Sequence, residues 1–246
     1  MVPTAFVGTA GWQVGGTTRE HFTATGSHLE QYASTFNAAE INSCFYRPHR
    51  RSTYERWAAS VPEAFRFSAK VPKLVTHDLR LVGVKAALEQ FIGEVAGLGD
   101  RLGVLLVQLP PSFELELRGA RAFFRRLTDL SPAAVVCEPR HTTWFTEAAD
   151  RLFQSCNISR VGADPARVPE AALPRAFGGV LYTRLHGSPR MYYSSYTSEF
   201  LQYTAAQLDR ETRSRLPTWC IFDNTAYGVA THNAVALRDL IRTSHV

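Results

Sequence analysis

Three pairs of residues in this chain stand two positions apart and carry groups fit for proton transfer or ion pairing: Glu40 with Asn42, Glu138 with Arg140, and Arg184 with His186. Side chains alternate between the two faces of an extended strand, so each pair projects to one side; for Glu138 and Arg140 this holds if the strand persists that far, although Pro139 suggests that it ends there. A carboxylate flanked by an Arg and a His stays ionised and serves as an acceptor or base. A His beside a cation serves as a general acid or oxyanion partner. Lys70 ends a further apolar run and is one of only three lysines, with Lys73 and Lys85. A lysine desolvated there among cations has a lowered pKa and suits a base or Schiff-base nucleophile; the other reading is a charged partner for a substrate or for Glu40. Glu40, Lys70, Glu138 and His186 are therefore the candidate catalytic groups.

Around them stand residues fit to hold a ligand. Arg47, Arg140 and Arg184 suit carboxylate or phosphate. Asn42, His77, Gln108, His141, Asp223 and Asn224 offer further polar contacts, and Trp12, Tyr46, Trp144 and Tyr193 offer aromatic faces for a sugar or base. Each also has a plainer reading: a rim salt bridge for Arg47, a surface histidine for His77, a hydrogen-bonded core histidine for His186, packing under loops for the aromatics.

All these groups follow short apolar runs, and the runs set their positions. Strand-like stretches at 4 to 10, 38 to 42, 65 to 70, 102 to 108, 133 to 138, 158 to 163, 179 to 185 and 218 to 223 alternate with helix-like patterns at 27 to 36, 52 to 60, 84 to 98, 116 to 129, 146 to 156, 199 to 212 and 229 to 243. Residues 164 to 178, rich in Pro and Ala, hold at most a short helix. Helix starts are expected at Ser27, at Ser52 with Glu55 three residues on, and at Ser198 before Glu199. Eight strands alternating with helices predict one α/β domain, a (β/α)8 TIM barrel over residues 1 to 246. The long connections, 11 to 26, 42 to 51, 71 to 83 and 186 to 198, all follow strands. The site is accordingly expected at the C-terminal ends of the strands.

A doubly wound sheet would want a Gly-rich phosphate turn, and Gly8-Thr9-Ala10-Gly11 with Gly15-Gly16 does not make one. Neither a P-loop nor a GxSxG elbow is present. Of 27 basic residues all but three are arginines, the formal net charge is +5, and no dense basic block interleaved with aromatics occurs. A small anionic or sugar-like molecule is thus favoured over nucleic acid as the partner. Cys44, Cys137, Cys156 and Cys220 are widely spaced, which argues against structural zinc and disulfides. No apolar stretch spans a bilayer and no leader precedes the first strand, so the expectation is a cytoplasmic protein with no membrane partner.

In order along the chain, Gly8-Thr9-Ala10-Gly11-Trp12, Glu40-Ile41-Asn42-Ser43-Cys44-Phe45-Tyr46-Arg47, Trp57 with Pro62, Phe67-Ser68-Ala69-Lys70-Val71-Pro72, Thr76-His77, Gln108-Leu109-Pro110-Pro111, Glu138-Pro139-Arg140-His141 with Trp144, Arg184-Leu185-His186-Gly187, and Phe222-Asp223-Asn224 with Ala230 and Asn233-Ala234 together resemble the YecE-like proteins, the domain of unknown function seventy-two. The resemblance implies a TIM barrel and assigns no reaction. Two departures stand out: Gln13-Val14-Gly15-Gly16-Thr17-Thr18 replaces an aromatic loop, and Asp223 stands where such proteins often have Asn.

Three functions remain open at this point. The first is an isomerase, lyase or hydrolase acting on a small anionic, sugar-like or phosphate-bearing substrate. The second is a divalent-metal hydrolase or endonuclease-like enzyme with Glu40, Glu138, Asp223 and His186 or His77 as ligands, although the neighbouring cations would repel the ion. The third is a non-catalytic binder of a nucleotide, a nucleic-acid end or an anionic metabolite. Gln108 on the fourth strand, and no nucleophile on the seventh, count against ordinary retaining glycoside hydrolysis. The cofactor stays unknown.

Overall fold

The computed structural model describes residues 5–22 and 25–243. Residue 4 of the first expected strand and part of the 11 to 26 connection lie outside them. Among the described residues nine parallel strands form one sheet: β1 Ala5–Ala10, β2 Ala38–Ile41, β3 Arg66–Lys70, β4 Leu102–Gln108, β5 Ala134–Glu138, β6 Ile158–Arg160, β7 Gly162–Asp164, β8 Leu181–Leu185 and β9 Thr218–Phe222. Their order is β6-β5-β4-β3-β2-β1-β9-β8-β7. The two edge strands are consecutive halves of one stave, so the sheet curls into a nearly closed TIM-like barrel. The helices α1 His28–Ala33, α2 Ser43–Tyr46, α3 Arg51–Ala59, α4 Lys85–Val95, α5 Leu117–Leu130, α6 Glu147–Ser155 and α7 Ser198–Thr212 lie between strands, and α8 Val229–Thr243 follows the last.

The expected sixth strand, 158 to 163, differs in being split. β6 pairs with β5 through Arg160, whereas β7 pairs with β8 only from Gly162. Between them Arg160 exchanges both backbone hydrogen bonds with Arg175 (2.8 and 2.9 Å), and the Val161 amide still donates to the Cys137 carbonyl. The 164 to 178 segment thus takes the pairing side that β8 would need, and within it only a short turn, Pro169–Ala171, is helical. Helix starts also differ in detail. Ser27 caps α1 as expected, and Glu30 caps it in return. The helix expected from Ser52 starts at Arg51 without a side-chain cap, and Thr197, not Ser198, caps α7 by accepting from the Phe200 amide.

Two apolar layers follow from the alternation along each strand. The outward residues, such as Phe67, Ala69, Leu105, Val107, Val135 and Cys137, pack under the helices. The inward ones, Ala38, Val104, Leu106, Val136, Tyr182, Trp219 and Ile221, fill the barrel. Read upward, the inward positions turn from apolar to polar: Trp219, Ile221, Asp223; Tyr182, Arg184, His186; Val104, Leu106, Gln108; Val136 then Glu138; Ala38 then Glu40; on β3 both inward residues, Ser68 and Lys70, are polar. The floor is an aromatic stack, with Phe6 and Tyr182 rings 4.7 and 5.7 Å from Trp219. Gly103, skipped by a bulge in the β3–β4 pairing, makes room for it, since a Cβ there would lie 2.7 Å from the indole. Trp219→Ala would empty the barrel floor and is expected to cost about 3–5 kcal/mol, measured as a loss in denaturant midpoint with unchanged slope.

Candidate active site at the barrel mouth

Where the inward positions become polar, four strands deliver one buried ion network. Arg184, fully buried on β8, donates from Nε and Nη2 to the two oxygens of Glu40 (3.0 and 2.6 Å), from Nη1 to Glu138 Oε2 (2.6 Å) and from Nη2 to Asp223 Oδ2 (2.9 Å). His186, two residues on, bridges the last two carboxylates, with Nδ1 3.0 Å from Asp223 Oδ2 and Nε2 3.1 Å from Glu138 Oε1. Glu138 Oε1 also accepts from Arg140 Nε at 2.9 Å and Gln108 Nε2 at 3.1 Å. The spacing rule therefore holds for Glu138 with Arg140 and for Arg184 with His186.

The electrostatics follow from these partners. Burial alone would push Arg184 down, and Glu40, Asp223 and Glu138 more than offset it, so the guanidinium is held charged. Burial would raise Glu138, yet Arg184, Arg140 and His186 hold it well below the usual carboxylate range. Asp223 is likewise lowered against its burial, by Arg184, His186 and Lys70. His186, opposed by burial, is raised chiefly by Glu138, which favours the doubly protonated ring with one N–H for each carboxylate.

Lys70 is placed differently. Its Nζ lies 4.2 Å from the centre of the Phe45 ring, and among the described residues no carboxylate comes within ion-pair distance of it. Burial first, then Arg184, lower its pKa to about 8, against the pull of Glu40, Asp223 and Glu138. His77 abuts the other side of this corner, 5.1 Å ring to ring from Phe45, with Nδ1 2.9 Å from the Thr76 hydroxyl. Its own burial, with Lys70 and Arg140 nearby, lowers its pKa and keeps it neutral. Tyr192 sets its ring edge-on to His186 at 5.8 Å, and Gly187, at φ +90 where a Cβ would lie 2.8 Å from the Ser194 carbonyl, turns the chain between them.

Several expected contacts lie elsewhere. Trp144 is wholly buried in the outer layer, stacked on Phe153 and donating Nε1–H to the Phe113 carbonyl. His141 caps the turn Thr142–Trp144 through its ring nitrogen. Trp12 packs edge-on against Trp57 and Phe67, a residue of the helix-facing layer. Tyr46 and Arg47 line an outer groove with Pro48, Leu74 and Phe91. Asn42 has helical backbone as the residue before α2, so it no longer shares an extended face with Glu40; its buried Oδ1 has no partner among the described residues. Asn224 ties the 186 to 198 loop to α8 through Ser194 and Asn233. Tyr193 stands on the rim under Arg190, edge-on to Tyr227. The metal arrangement does not form at the mouth, because the Arg184 guanidinium stands between Glu40, Glu138 and Asp223 where a bridging ion would have to sit.

Sequence reasoning passed over Tyr182 and Ser68. The Tyr182 hydroxyl donates to Glu40 Oε2 at 2.8 Å and contacts Ser68 Oγ at 2.6 Å. Both stand two residues before a residue already singled out, Arg184 and Lys70, so the same period of two would have found them.

Arg184→Met would strand three buried carboxylates and is expected to cost at least about 3 kcal/mol in denaturant titration at neutral pH. Lys70→Met should act oppositely. Between pH about 8 and the ordinary lysine value of 10.5, the unfolded chain holds a proton that the folded one has released, so stability rises with pH across that window, and below it the full cost of the buried charge remains. The variant is expected to be more stable than the parent at pH 7 by on the order of 1–3 kcal/mol, with the gap narrowing as pH climbs through the window.

Comparison with known proteins agrees with this architecture. The UPF0759 protein YecE of Escherichia coli is 31% identical over 85 residues, 35% of this chain and 31% of that protein. The UPF0759 protein YunF of Bacillus subtilis is 26% identical over 151 residues, 57% of this chain and 52% of that one. The alignments thus span about a third and about half of these curated relatives. A DUF72 family protein from Thermotoga maritima superposes with a TM-score of 0.80 at 24% identity, covering 97% of this chain and 99% of that one. Another, from Enterococcus faecalis, gives 0.80 at 16% identity over 97% and 96%. A methyltransferase from Methanosarcina mazei shares the fold alone, at a TM-score of 0.53 and 8% identity. Residues 6–246 match the family described as "Protein of unknown function DUF72", and the chain belongs to that family.

Proposed function

We propose that the barrel mouth binds a small anionic, sugar-like or phosphate-bearing molecule and transforms it by acid–base chemistry, with Lys70 as the proton-transferring group. One observation carries this reading: the three carboxylates of the network, Glu40, Glu138 and Asp223, are already engaged by Arg184, Arg140 or His186, while the buried Lys70 ammonium has no carboxylate at ion-pair distance among the described residues. A buried charge without a partner is expensive, and an anionic ligand would supply the missing one. The neutral His77, which lies near both Lys70 and Arg140, and the largely buried Arg140 are the further contacts.

Glu40, Glu138 and His186, expected as catalytic groups, take positioning roles in this scheme. Glu40 accepts three hydrogen bonds and Glu138 four, all of them from groups of the network itself. They fix Arg184 and Arg140 and set the field at Lys70. A lysine with a pKa of about 8 gives up and regains its proton near neutral pH, as a general base or acid must. The reaction class is isomerase, lyase or hydrolase. Four buried, free cysteines favour a reducing, cytoplasmic setting.

Calorimetry with inorganic phosphate and a panel of sugar phosphates tests the reading. Binding is expected to weaken as pH rises through about 8, when Lys70 loses its charge, and to fall at least about tenfold in Lys70→Met. Binding that ignores both pH and Lys70→Met would sink it. Tight binding without turnover of any panel member would leave a non-catalytic anion-binding protein.

A further inference from the structure

Away from the carboxylate network, two histidines 211 residues apart in sequence face each other on the loop after β1 and the start of α8. His21 Nε2 lies 2.9 Å from His232 Nδ1, with the rings edge to face at 4.9 Å. The Glu20 carboxylate is 3.9 Å from the same His21 nitrogen. One ligand atom from each of the three lies within 4.8 Å of the others, and among the described residues no other group of three or more His, Cys, Asp or Glu does so.

We propose that Glu20, His21 and His232 form a binding site for a divalent transition metal, with zinc the best match. Two imidazole nitrogens and one carboxylate oxygen are a donor set that zinc takes in tetrahedral geometry, with water in the fourth position. Metal–ligand bonds of about 2.0–2.1 Å place neighbouring ligand atoms roughly 3.3 Å apart. The 2.9 Å pair of nitrogens therefore needs to open only by a small rotation of either ring. A second observation points the same way. His232 Nε2 lies 3.4 Å from the Thr17 hydroxyl, so an N–H there can donate to it and leave the Nδ1 lone pair turned toward His21. Metal-binding histidines are usually held in this manner by a hydrogen bond to the other ring nitrogen.

The ligands come from two elements far apart in the chain. Glu20 and His21 end the helical turn Gly16–His21, and His232 stands in the first turn of α8. The ion would strap the loop after β1 to the last helix. This loop includes the stretch in which the sequence departs from the YecE-like pattern.

Titration of the full-length, tag-free chain with zinc against a chromophoric chelator decides the matter. One zinc per chain is expected, with micromolar affinity or better. His21→Ala and His232→Ala should each abolish detectable uptake, and Thr17→Val should weaken it by about 10- to 100-fold. The exposed His28, changed to Ala, should leave uptake unaltered. All variants should keep the parent's circular dichroism and melting temperature in the absence of metal. Stoichiometric uptake that survives the His21/His232 double change, or no uptake up to millimolar zinc, would overturn the site.

Discussion

A guanidinium buried in the middle of a barrel has to be surrounded by negative charge, and much of the mouth is organised around that requirement. Arg184 reaches carboxylates from β2, the end of β5 and the residue after β9, so one side chain ties together staves that are far apart in sequence. Each carboxylate then brings a further donor into register: Tyr182 onto Glu40, Gln108 and Arg140 onto Glu138, His186 onto both Glu138 and Asp223. Such a network is costly to desolvate and is retained only when almost every lone pair and proton finds a partner. Its rigidity is what allows a neighbouring group, Lys70, to be held in an unfavourable state.

The alternation of side chains along strands made much of this legible in the sequence. Glu138 with Arg140 and Arg184 with His186 were placed on common faces from spacing alone, and Glu40, Lys70, Gln108 and Asp223 from their positions at the ends of apolar runs. The geometry of a barrel then brings together residues that no local pattern connects. Past the last residue of a strand the rule held for Arg140 and His186 but not for Asn42. Asn42 turns into a helix, and His141 and Trp144 enter a tight turn whose direction depends on contacts with Phe113 and Phe153. Trp12 takes the plainer of its two readings, packing, because an aromatic residue after a strand can fold outward onto the helices as readily as over the mouth.

Two further features lay beyond sequence reasoning for physical reasons. The split of the sixth stave depends on Arg175, a residue of an irregular segment, competing for the backbone of Arg160. The meeting of His21 with His232 depends on how the loop after β1 lies against α8, and neither residue stands in a periodic pattern that would announce it.

The interruption at Val161 gives the hoop a seam. Three residue pairs join β5 to β6 and three join β7 to β8, against five in the ladders β4–β5 and β8–β9 on either side. A closed cylinder has no natural place to begin opening; one with a cracked stave does. Local breathing in this molecule is set to start at the side of the barrel farthest in strand order from β1 and β2, so the first amides to exchange with solvent would be those bordering the crack, while the stave that carries Glu40 stays shut.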